Sequence, residues 1–256
     1  MALFNFKKKL TPPKKSSAVT GKPSEMVLSL TDPKSAVAEA YRTIRTNLQF
    51  TNLDQSKKTF MVTSAGPGEG KTTTVANLGV TMAMAGTRTL MVDTDLRRPA
   101  LHKAFGVSNA VGLTSILSGQ AKIEDCIQTG RAQNLYLVTS GPLPPNPAEV
   151  LMSRPMADFM QSVKARYDLV IYDSPPVISV SDTLVLGSLV DGVVLVVRSG
   201  GYPQEVIHQA KSQLEGVKAN VVGVLLNSVD FKRDGYYYQY YYYYYYGYTY
   251  GTDGKK

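Results

Sequence analysis

The apolar residues of this chain are concentrated in short continuous runs, which are separated by longer polar or amphipathic segments. A run of four to eight apolar residues is typical of a strand that is buried on both faces of a sheet. Six runs predict strands, at residues 60–63, 89–92, 135–138, 169–172, 193–197 and 221–226. Because helical segments alternate with these strands, we expect an α/β fold, a doubly wound parallel sheet with helices on both faces.

The segments between the runs predict the helices. In the first, Val37, Tyr41, Ile44 and Leu48 recur at helical spacing and give one apolar face. This helix is expected to start at residues 31–33, where an Asp is followed by a Pro in the first turn. Other helices are predicted up to about residue 85, from about 148 to 165 and from about 203 to 214.

A glycine-rich loop connects the strand at 60–63 to the next helix. The segment from Ala65 to Thr72 reads AGPGEGKT and fits the phosphate loop, with Ala in place of the usual first Gly. Glycines let backbone N–H groups surround phosphates, and the helix N-terminus adds positive potential. Lys71 is placed to reach the β- and γ-phosphates, and the Thr72 hydroxyl can bind Mg²⁺. The candidate nucleotide-binding residues of this loop are Gly66, Pro67, Gly68, Glu69, Gly70, Lys71, Thr72 and Thr73.

Acidic residues follow two other predicted strands. Asp93 and Asp95 lie just past one strand, and Asp173 lies just past another. In parallel sheets, ligands bind at the carboxyl ends of the strands. A lone Asp after a strand is ordinarily a turn residue or a helix cap, but Mg²⁺ also prefers oxygen ligands. Three carboxylates beside a phosphate loop therefore predict a site for a metal-bound nucleotide.

Twelve of the seventeen tyrosines lie within fifteen residues near the C-terminus, in the sequence GYYYQYYYYYYYGYTYG. This run has neither strand nor helix periodicity. Each phenol can accept a phosphoryl group, which adds about −1.5 to −2 charges. The alternative is a sticky low-complexity segment that stacks on partners. The candidate phosphoacceptors are Tyr236, Tyr237, Tyr238, Tyr240, Tyr241, Tyr242, Tyr243, Tyr244, Tyr245, Tyr246, Tyr248 and Tyr250.

The distribution of charge indicates a basic arm at the N-terminus. The net charge is +8, and six lysines without any acidic residue lie in residues 1–24. The arm is either a solubilising segment or a segment attracted to an anionic membrane, at about 1 kcal/mol per Lys. Nucleic acid is not an expected partner, because Phe4 and Phe6 are its only aromatics. The single cysteine, Cys126, excludes an internal disulfide, and no apolar run is long enough to span a bilayer.

Several of these motifs together resemble the bacterial tyrosine kinases of the capsule and exopolysaccharide type. They are the phosphate loop, DTDLRRP from Asp93, GPLPPNP from Gly141, DSPP from Asp173 and the tyrosine cluster. The chain resembles more closely the separate cytoplasmic kinase subunit of Gram-positive bacteria, over roughly residues 25–256. The resemblance implies the phosphate-loop NTPase fold of the deviant Walker ATPase type, shared with cell-division-site and plasmid-partition ATPases. Those relatives carry a second lysine at the position of Gly66, and its absence favours the kinase branch.

The resemblance also implies cofactors and residue roles. ATP and Mg²⁺ are the expected cofactors, and the expected catalytic residues are Lys71, Asp93, Asp95 and Asp173. Thr72, Asp95 and Asp173 match the metal site, and Asp93 matches the base for the tyrosine hydroxyl. The division of roles between Asp93 and Asp95 stays open. Asn227 matches a position that faces adenine, although an Asn at a strand end is ordinarily a turn former.

The predicted first helix, at about 33–50, carries Glu39, Arg42 and Arg45 at three-residue spacing. Intrahelical ion pairing explains this spacing at about 0.2–0.5 kcal/mol per pair. The family instead uses the pattern to assemble a ring-shaped homo-oligomer. The resemblance further implies a transmembrane activator subunit, a tyrosine phosphatase, and protein tyrosine substrates of sugar-nucleotide or polysaccharide metabolism. It places the chain in the cytoplasm, held at the inner face of the membrane by its activator.

The expected organisation is a basic disordered arm (1–24), a phosphate-loop kinase domain (25–230) and a flexible tyrosine-rich tail (231–256). The implied function is an ATP-dependent protein tyrosine kinase that autophosphorylates its tail in trans and regulates capsular or exopolysaccharide synthesis and export. One alternative is a nucleotide-switched ATPase that controls assembly and uses the tail as a binding surface. Another is a non-catalytic scaffold in polysaccharide export.

Overall fold

The computed structural model describes residues 24–51 and 58–230. Its centre is a seven-stranded sheet in the order β3-β4-β2-β5-β1-β6-β7. All neighbouring strands are parallel except β3, which runs antiparallel to β4. The strands are β1 (Thr59–Ser64), β2 (Thr89–Asp93), β3 (Gln128–Thr129), β4 (Leu135–Val138), β5 (Leu169–Asp173), β6 (Gly192–Arg198) and β7 (Val221–Asn227).

Helices cover both faces of this sheet, which confirms the predicted doubly wound fold. They are α1 (Leu28–Thr31), α2 (Ala36–Phe50), α3 (Lys71–Met84), α4 (Leu101–Phe105), α5 (Leu113–Leu117), α6 (Ile123–Cys126), α7 (Pro147–Leu151), α8 (Arg154–Arg166), α9 (Asp182–Leu189) and α10 (Gln204–Gly216). One apolar core includes buried residues of α2, α3 and α4, and the other those of α8, α9 and α10. In the described part of the chain, no helix combines the length and apolar character that a membrane span needs.

The start of the first long helix differs from the prediction. Helix α2 begins at Ala36, where the Ser35 side chain accepts a hydrogen bond from the backbone N–H of Ala38. Ser35 is an N-cap, so Pro33 lies outside the helix instead of in its first turn. The residues just before it form the separate short helix α1. The expected start at 31–33 was therefore wrong, and the predicted helix 33–50 is Ala36–Phe50.

The helix predicted from about 148 to 165 is two helices, α7 and α8. Ser153 caps α8 by accepting a hydrogen bond from the backbone N–H of Met156 at 3.4 Å. Pro155 lies in the first turn of α8. A proline cannot donate the backbone hydrogen bond that a continuous helix would require, so the first helix ends before it. Strand β3, only two residues long, was not predicted.

Candidate active site

The phosphate loop lies between β1 and α3, with its tip open to solvent. Pro67 and Gly68 are exposed, while Lys71 begins α3. Gly68 and Gly70 have positive φ angles of 79° and 96°, which favour glycine. A Cβ at Gly70 would also lie 2.1 Å from Nδ2 of Asn227. The glycines therefore shape a loop whose backbone N–H groups and helix N-terminus suit phosphate.

Thr72 and Asp173 join the phosphate loop to the end of β5. The Thr72 hydroxyl donates a hydrogen bond to Asp173 Oδ2 at 2.6 Å. Asp173 Oδ1 is buried without a hydrogen-bond partner among the described residues. The pKa of Asp173 is raised to about 7, chiefly by burial and in smaller part by the charge of Asp95, while the Thr72 hydrogen bond and the Lys71 charge oppose the shift. A carboxylate oxygen held in this way needs a cation or a water to satisfy it.

These residues fit Mg²⁺. Its preferred ligands are oxygens, and it usually keeps several waters and shares phosphate oxygens with the protein site. Thr72 and Asp173 offer a hydroxyl and an unsatisfied carboxylate oxygen beside the loop. Across residues 24–51 and 58–230, no group of three or more His, Cys, Asp or Glu side chains could enclose a metal alone. The donor set thus suits a phosphate-bound Mg²⁺ better than a protein-enclosed metal.

Lys71 is a buried cation among carboxylates, with 8% of its surface exposed. Burial lowers its pKa, and the charges of Asp173, Asp95 and Glu69 oppose that shift. The ammonium group is therefore buried at the foot of the phosphate loop, within the electrostatic influence of three acidic side chains. Its position fits charge neutralisation of a transferring phosphoryl group.

Asp93 is fully buried at the end of β2, in register with Asp173 on β5. Its Oδ2 accepts hydrogen bonds from the backbone N–H groups of Ala100 and Leu101 at 3.1 and 3.0 Å. Its Oδ1 accepts from the N–H of Asp95 at 3.2 Å. Burial raises the pKa of Asp93 well above its usual range, with a further contribution from Asp173. These hydrogen bonds hold the loop between β2 and α4 in place. A carboxylate has about four acceptor positions, and three are used here, so one position is left for a proton.

Asp95 is only partly buried and lies in the loop after β2. Its Oδ1 accepts hydrogen bonds from the backbone N–H groups of Arg97 and Arg98 at 3.3 and 2.9 Å. The Arg97 guanidinium pairs with the buried carboxylate of Asp182 at 3.2 Å. The structure therefore brings Asp95, Asp93 and Asp173 to one edge of the sheet, each in a different environment.

Glu69, predicted as a nucleotide contact, braces the phosphate loop from within. Its carboxylate accepts hydrogen bonds from the backbone N–H groups of Gly66 at 2.9 Å and Arg198 at 3.3 Å. Asn227 donates from Nδ2 to the Glu69 carbonyl at 2.9 Å. The loop is thus fastened to the ends of β6 and β7. The adenine contact expected of Asn227 stays a prediction, as do the phosphate contacts of Thr73, whose hydroxyl faces Met26 Sδ at 3.9 Å.

Tyr202 is a site residue that the sequence reasoning missed. A Cβ built on Gly66 would lie 2.1 Å from Cζ and 2.4 Å from the hydroxyl oxygen of Tyr202. The ring therefore occupies the space that a side chain at position 66 would need. The local signal was weak, because a Gly-Gly-Tyr-Pro sequence after a strand indicates only a turn.

Gly66→Ala is expected to weaken binding of a fluorescent ATP analogue by up to about tenfold, because the new methyl group overlaps the Tyr202 ring and either the ring or the loop must shift. Adding Tyr202→Ala should restore most of that affinity. Fluorescence titration of both variants and of Tyr202→Ala alone measures the coupling. If the single variant Gly66→Ala and the double variant Gly66→Ala/Tyr202→Ala bind the analogue with equal affinity, the predicted overlap is wrong.

The residues predicted for oligomerisation lie on α2. Arg42 forms an ion pair with Glu39 and donates to the backbone carbonyl of Pro33. Arg45 donates from Nη1 to the Thr81 carbonyl at 3.4 Å, on α3. The intrahelical ion pair that the spacing allows is therefore present. Assembly into a ring stays a prediction.

The basic arm and the tyrosine-rich tail lie outside the described residues, apart from Ser24. All twelve candidate phosphoacceptors belong to this part. Their roles, and the boundaries proposed for the arm and the tail, stay predictions.

Known proteins resemble the chain in sequence and in structure. The AAA domain family matches residues 57–225. The tyrosine-protein kinase YwqD of Bacillus subtilis (strain 168) is 44% identical over 214 residues, which cover 82% of this chain and 90% of that protein. The solved kinase domain of the Escherichia coli tyrosine kinase ETK is 34% identical with a TM-score of 0.78, and the match covers 82% of this chain and 83% of that one.

A more distant structure has the same fold and was solved with a nucleotide. It is the septum site-determining protein MinD from Pyrococcus horikoshii OT3, in complex with Mg-ADP. The two chains are 25% identical with a TM-score of 0.54, over 65% of this chain and 67% of that one. The architecture is therefore common to the kinase domains and to this ATPase.

Proposed function

The chain belongs to the family of bacterial tyrosine-protein kinases, and on this premise we propose that it transfers the γ-phosphate of ATP to tyrosines of its own tail. The observation that carries the proposal is the Thr72–Asp173 hydrogen bond, which joins the phosphate loop to an acidic strand end beside the buried Lys71. A tail with twelve tyrosines supplies the acceptors.

The transfer forms a bond between a tyrosine oxygen and the γ-phosphorus and breaks the bond to the β–γ bridging oxygen. ADP leaves, and the phenolic proton goes to a carboxylate. Asp93 is the proposed base, since the resemblance gives it this role and one acceptor position of its carboxylate stays open. Mg²⁺, when bound by Thr72, Asp173 and Asp95, neutralises phosphate charge. Lys71 and the loop N–H groups orient the phosphates, which is most of what this reaction requires.

The tail is proposed to be modified by a neighbouring subunit. A tail with many acceptors cannot present each one to its own site from a single fixed pose. A ring-shaped homo-oligomer solves this, because each tail meets a neighbour's site. From Asp230 onward the unmodified chain carries +1, counting side chains alone. Four phosphates would bring it to about −5 to −7, so modified tails would repel one another and compete for Arg42 and Arg45.

Phosphorylation is therefore expected to dissociate the oligomer. The full chain should be incubated with Mg-ATP and compared with untreated protein by multi-angle light scattering, at matched concentration and salt. Mass spectrometry of the tail counts the phosphates. We expect multiple phosphotyrosines and a smaller particle mass. An unchanged mass with a fully modified tail would contradict the cycle of assembly, transfer and release.

The competing function is a nucleotide-switched ATPase of the partition or cell-division type, which the shared fold with MinD favours. With this function, the chain would hydrolyse ATP and change its oligomeric state without producing phosphotyrosine. The same incubation separates the two, because hydrolysis with an unmodified tail supports the switch. A scaffold would do neither, even with an activator present.

The cellular role is proposed by analogy with the family. The kinase would regulate capsular or exopolysaccharide synthesis and export. It would require a transmembrane activator, act on tyrosines in proteins of sugar-nucleotide or polysaccharide metabolism, and be reset by a tyrosine phosphatase. Its proposed place is the inner face of the cell membrane, where the activator holds it.

Removing residues 1–24 is expected to weaken attachment to anionic vesicles more than catalysis. Six lysines in this arm attract an anionic surface, and the attraction should fall with salt. Flotation with vesicles of anionic or of neutral lipid measures the attachment of each chain. The rate of tail phosphorylation, measured on the same two chains, controls for catalysis. Equal, salt-insensitive flotation of both chains would show that the arm has no such role.

A further inference from the structure

A cleft of about 390 Å³ lies at the carboxyl end of β4, outside the nucleotide site. Its walls come from the loop Pro142–Pro144 and from helices α5 and α7. In the sheet, β4 neighbours β2, which ends in Asp93, whereas β1 and its phosphate loop lie on the other side of β2. The β4 cleft therefore continues the active-site edge beyond the catalytic carboxylates, away from the nucleotide.

The loop that forms one wall is fixed by hydrogen bonds. The Thr114 hydroxyl donates to the carbonyls of Ser140 and Pro142 at 3.0 and 2.8 Å. Asn109 Oδ1 accepts from the N–H of Gly141 at 2.9 Å, and its Nδ2 donates to the Gly141 carbonyl at 3.1 Å. The wall is thus preformed, which lowers the entropic cost of binding.

The lining suits an uncharged aromatic ring with a polar tip. Leu117, Leu143 and Val150 supply apolar surface, and Ser118 supplies a hydroxyl group. Glu149 is the single charged side chain among the described lining residues. A volume of this size is within the range of small-ligand sites. A phenol matches this surface, whereas a phosphorylated phenol would meet a carboxylate and no cation.

We propose that the β4 cleft docks a non-reacting tyrosine of the tail segment 235–251 while another tyrosine of that segment is phosphorylated. The inference rests on the proposed kinase function and adds a second acceptor-binding site to it. The transfer site lies between Asp93 after β2 and the phosphate loop after β1, which are one and three strand spacings from β4, or about 5 to 14 Å. An extended residue spans about 3.3 Å, so about two to four residues separate the docked tyrosine from the reacting one. The dense tyrosine run offers a second ring at any of these spacings.

The segment is expected to come from a second copy of the chain. The described chain ends just after β7, at the far edge of the sheet from β4. Five strand spacings, or about 24 Å, separate β7 from the cleft, and about seven extended residues would cover them, so the distance itself is no barrier to the chain's own tail. That path, however, would lie across the edge of the sheet where the nucleotide is proposed to bind. A neighbour's tail can approach from the β4 side. Because the cleft favours neutral rings, each added phosphate weakens docking and releases the finished tail.

Leu143→Glu tests the docking, with Met152→Glu as the matched control. Both side chains are exposed, at 58% and 60%, but only Leu143 lines the cleft. The first measurement is fluorescence anisotropy of a labelled, unphosphorylated peptide of residues 235–251 on the full chain without ATP. Leu143→Glu should weaken binding by about five- to tenfold, and Met152→Glu by less than about twofold.

The second measurement is transfer kinetics with two peptides, the natural segment and one that keeps Tyr242 and has serine at every other tyrosine. The natural peptide should have the lower KM with the unsubstituted chain, and Leu143→Glu should remove that advantage without changing kcat for the single-tyrosine peptide. Equal effects of Leu143→Glu and Met152→Glu, or none, would overturn the docking site. Leu143-dependent binding without any phosphotyrosine would instead refute the kinase function and leave the docking site standing.

Discussion

Replacing Lys71 with Met is expected to lower phosphorylation of the tail by at least about 10²-fold, because the variant loses the cation beside the transferring phosphate. Lys71 lies in a buried position among Asp173, Asp95 and Glu69, and the unbranched Met side chain fits similar space. The protein should therefore stay folded. Mass spectrometry of the tail after incubation with Mg-ATP measures the loss, and thermal unfolding checks the fold.

The same variant also tests transfer between subunits. Mixed with unsubstituted chain and distinguished from it by mass, Lys71→Met should still receive phosphates on its tail. A folded Lys71→Met protein that phosphorylates itself at the normal rate would refute the role of this lysine. Phosphate found only on the unsubstituted chain would refute transfer in trans.

The double variant Asp95→Asn/Asp173→Asn is expected to lose Mg²⁺-dependent transfer by a similar factor, at least about 10²-fold. Asp173 has a buried oxygen without a partner, beside the Thr72 hydroxyl that it already holds. Asn preserves the shape of both side chains and removes the negative charge that a magnesium ion requires. Initial rates over a series of Mg²⁺ concentrations measure the effect.

The matched control for this variant is Asp125→Asn/Asp158→Asn, which removes the same charge from two exposed positions. It should keep the Mg²⁺ dependence of the unsubstituted chain. If the Asp95/Asp173 variant turns over at the control rate with the same Mg²⁺ dependence, the metal site has been misplaced.

The parts of the fold that the sequence predicted are those with local patterns. Six continuous apolar runs correspond to six of the strands. Five of these strands are buried on both faces and are therefore largely apolar, whereas β7 is an edge strand whose residues are partly or fully exposed. The two residues of β3 are too few for any pattern. The break between α7 and α8 had a signal in Ser153 and Pro155, but the apolar spacing continues across it and concealed the boundary.

The residues of the candidate site also differ in whether a local sequence pattern could predict them. The phosphate loop is a contiguous motif, and the topology of a parallel sheet brings the carboxylates after β2 and β5 to one edge. Tyr202 follows β6 and meets Gly66 after β1 through a contact distant in sequence, so no local pattern could reveal it. The bracing role of Glu69 depends likewise on Arg198, which belongs to another strand.

The Tyr202 ring above Gly66 also constrains the order in which substitutions can accumulate. A lineage that acquired a lysine at position 66 while Tyr202 was in place would pass through a sterically blocked intermediate. If the aromatic ring at position 202 is lost first, position 66 can accommodate either glycine or lysine. We therefore expect the two positions to be epistatic, so that a chain with lysine at 66 should carry a small residue at 202. Aligned members of the family can be sorted by this pair of positions.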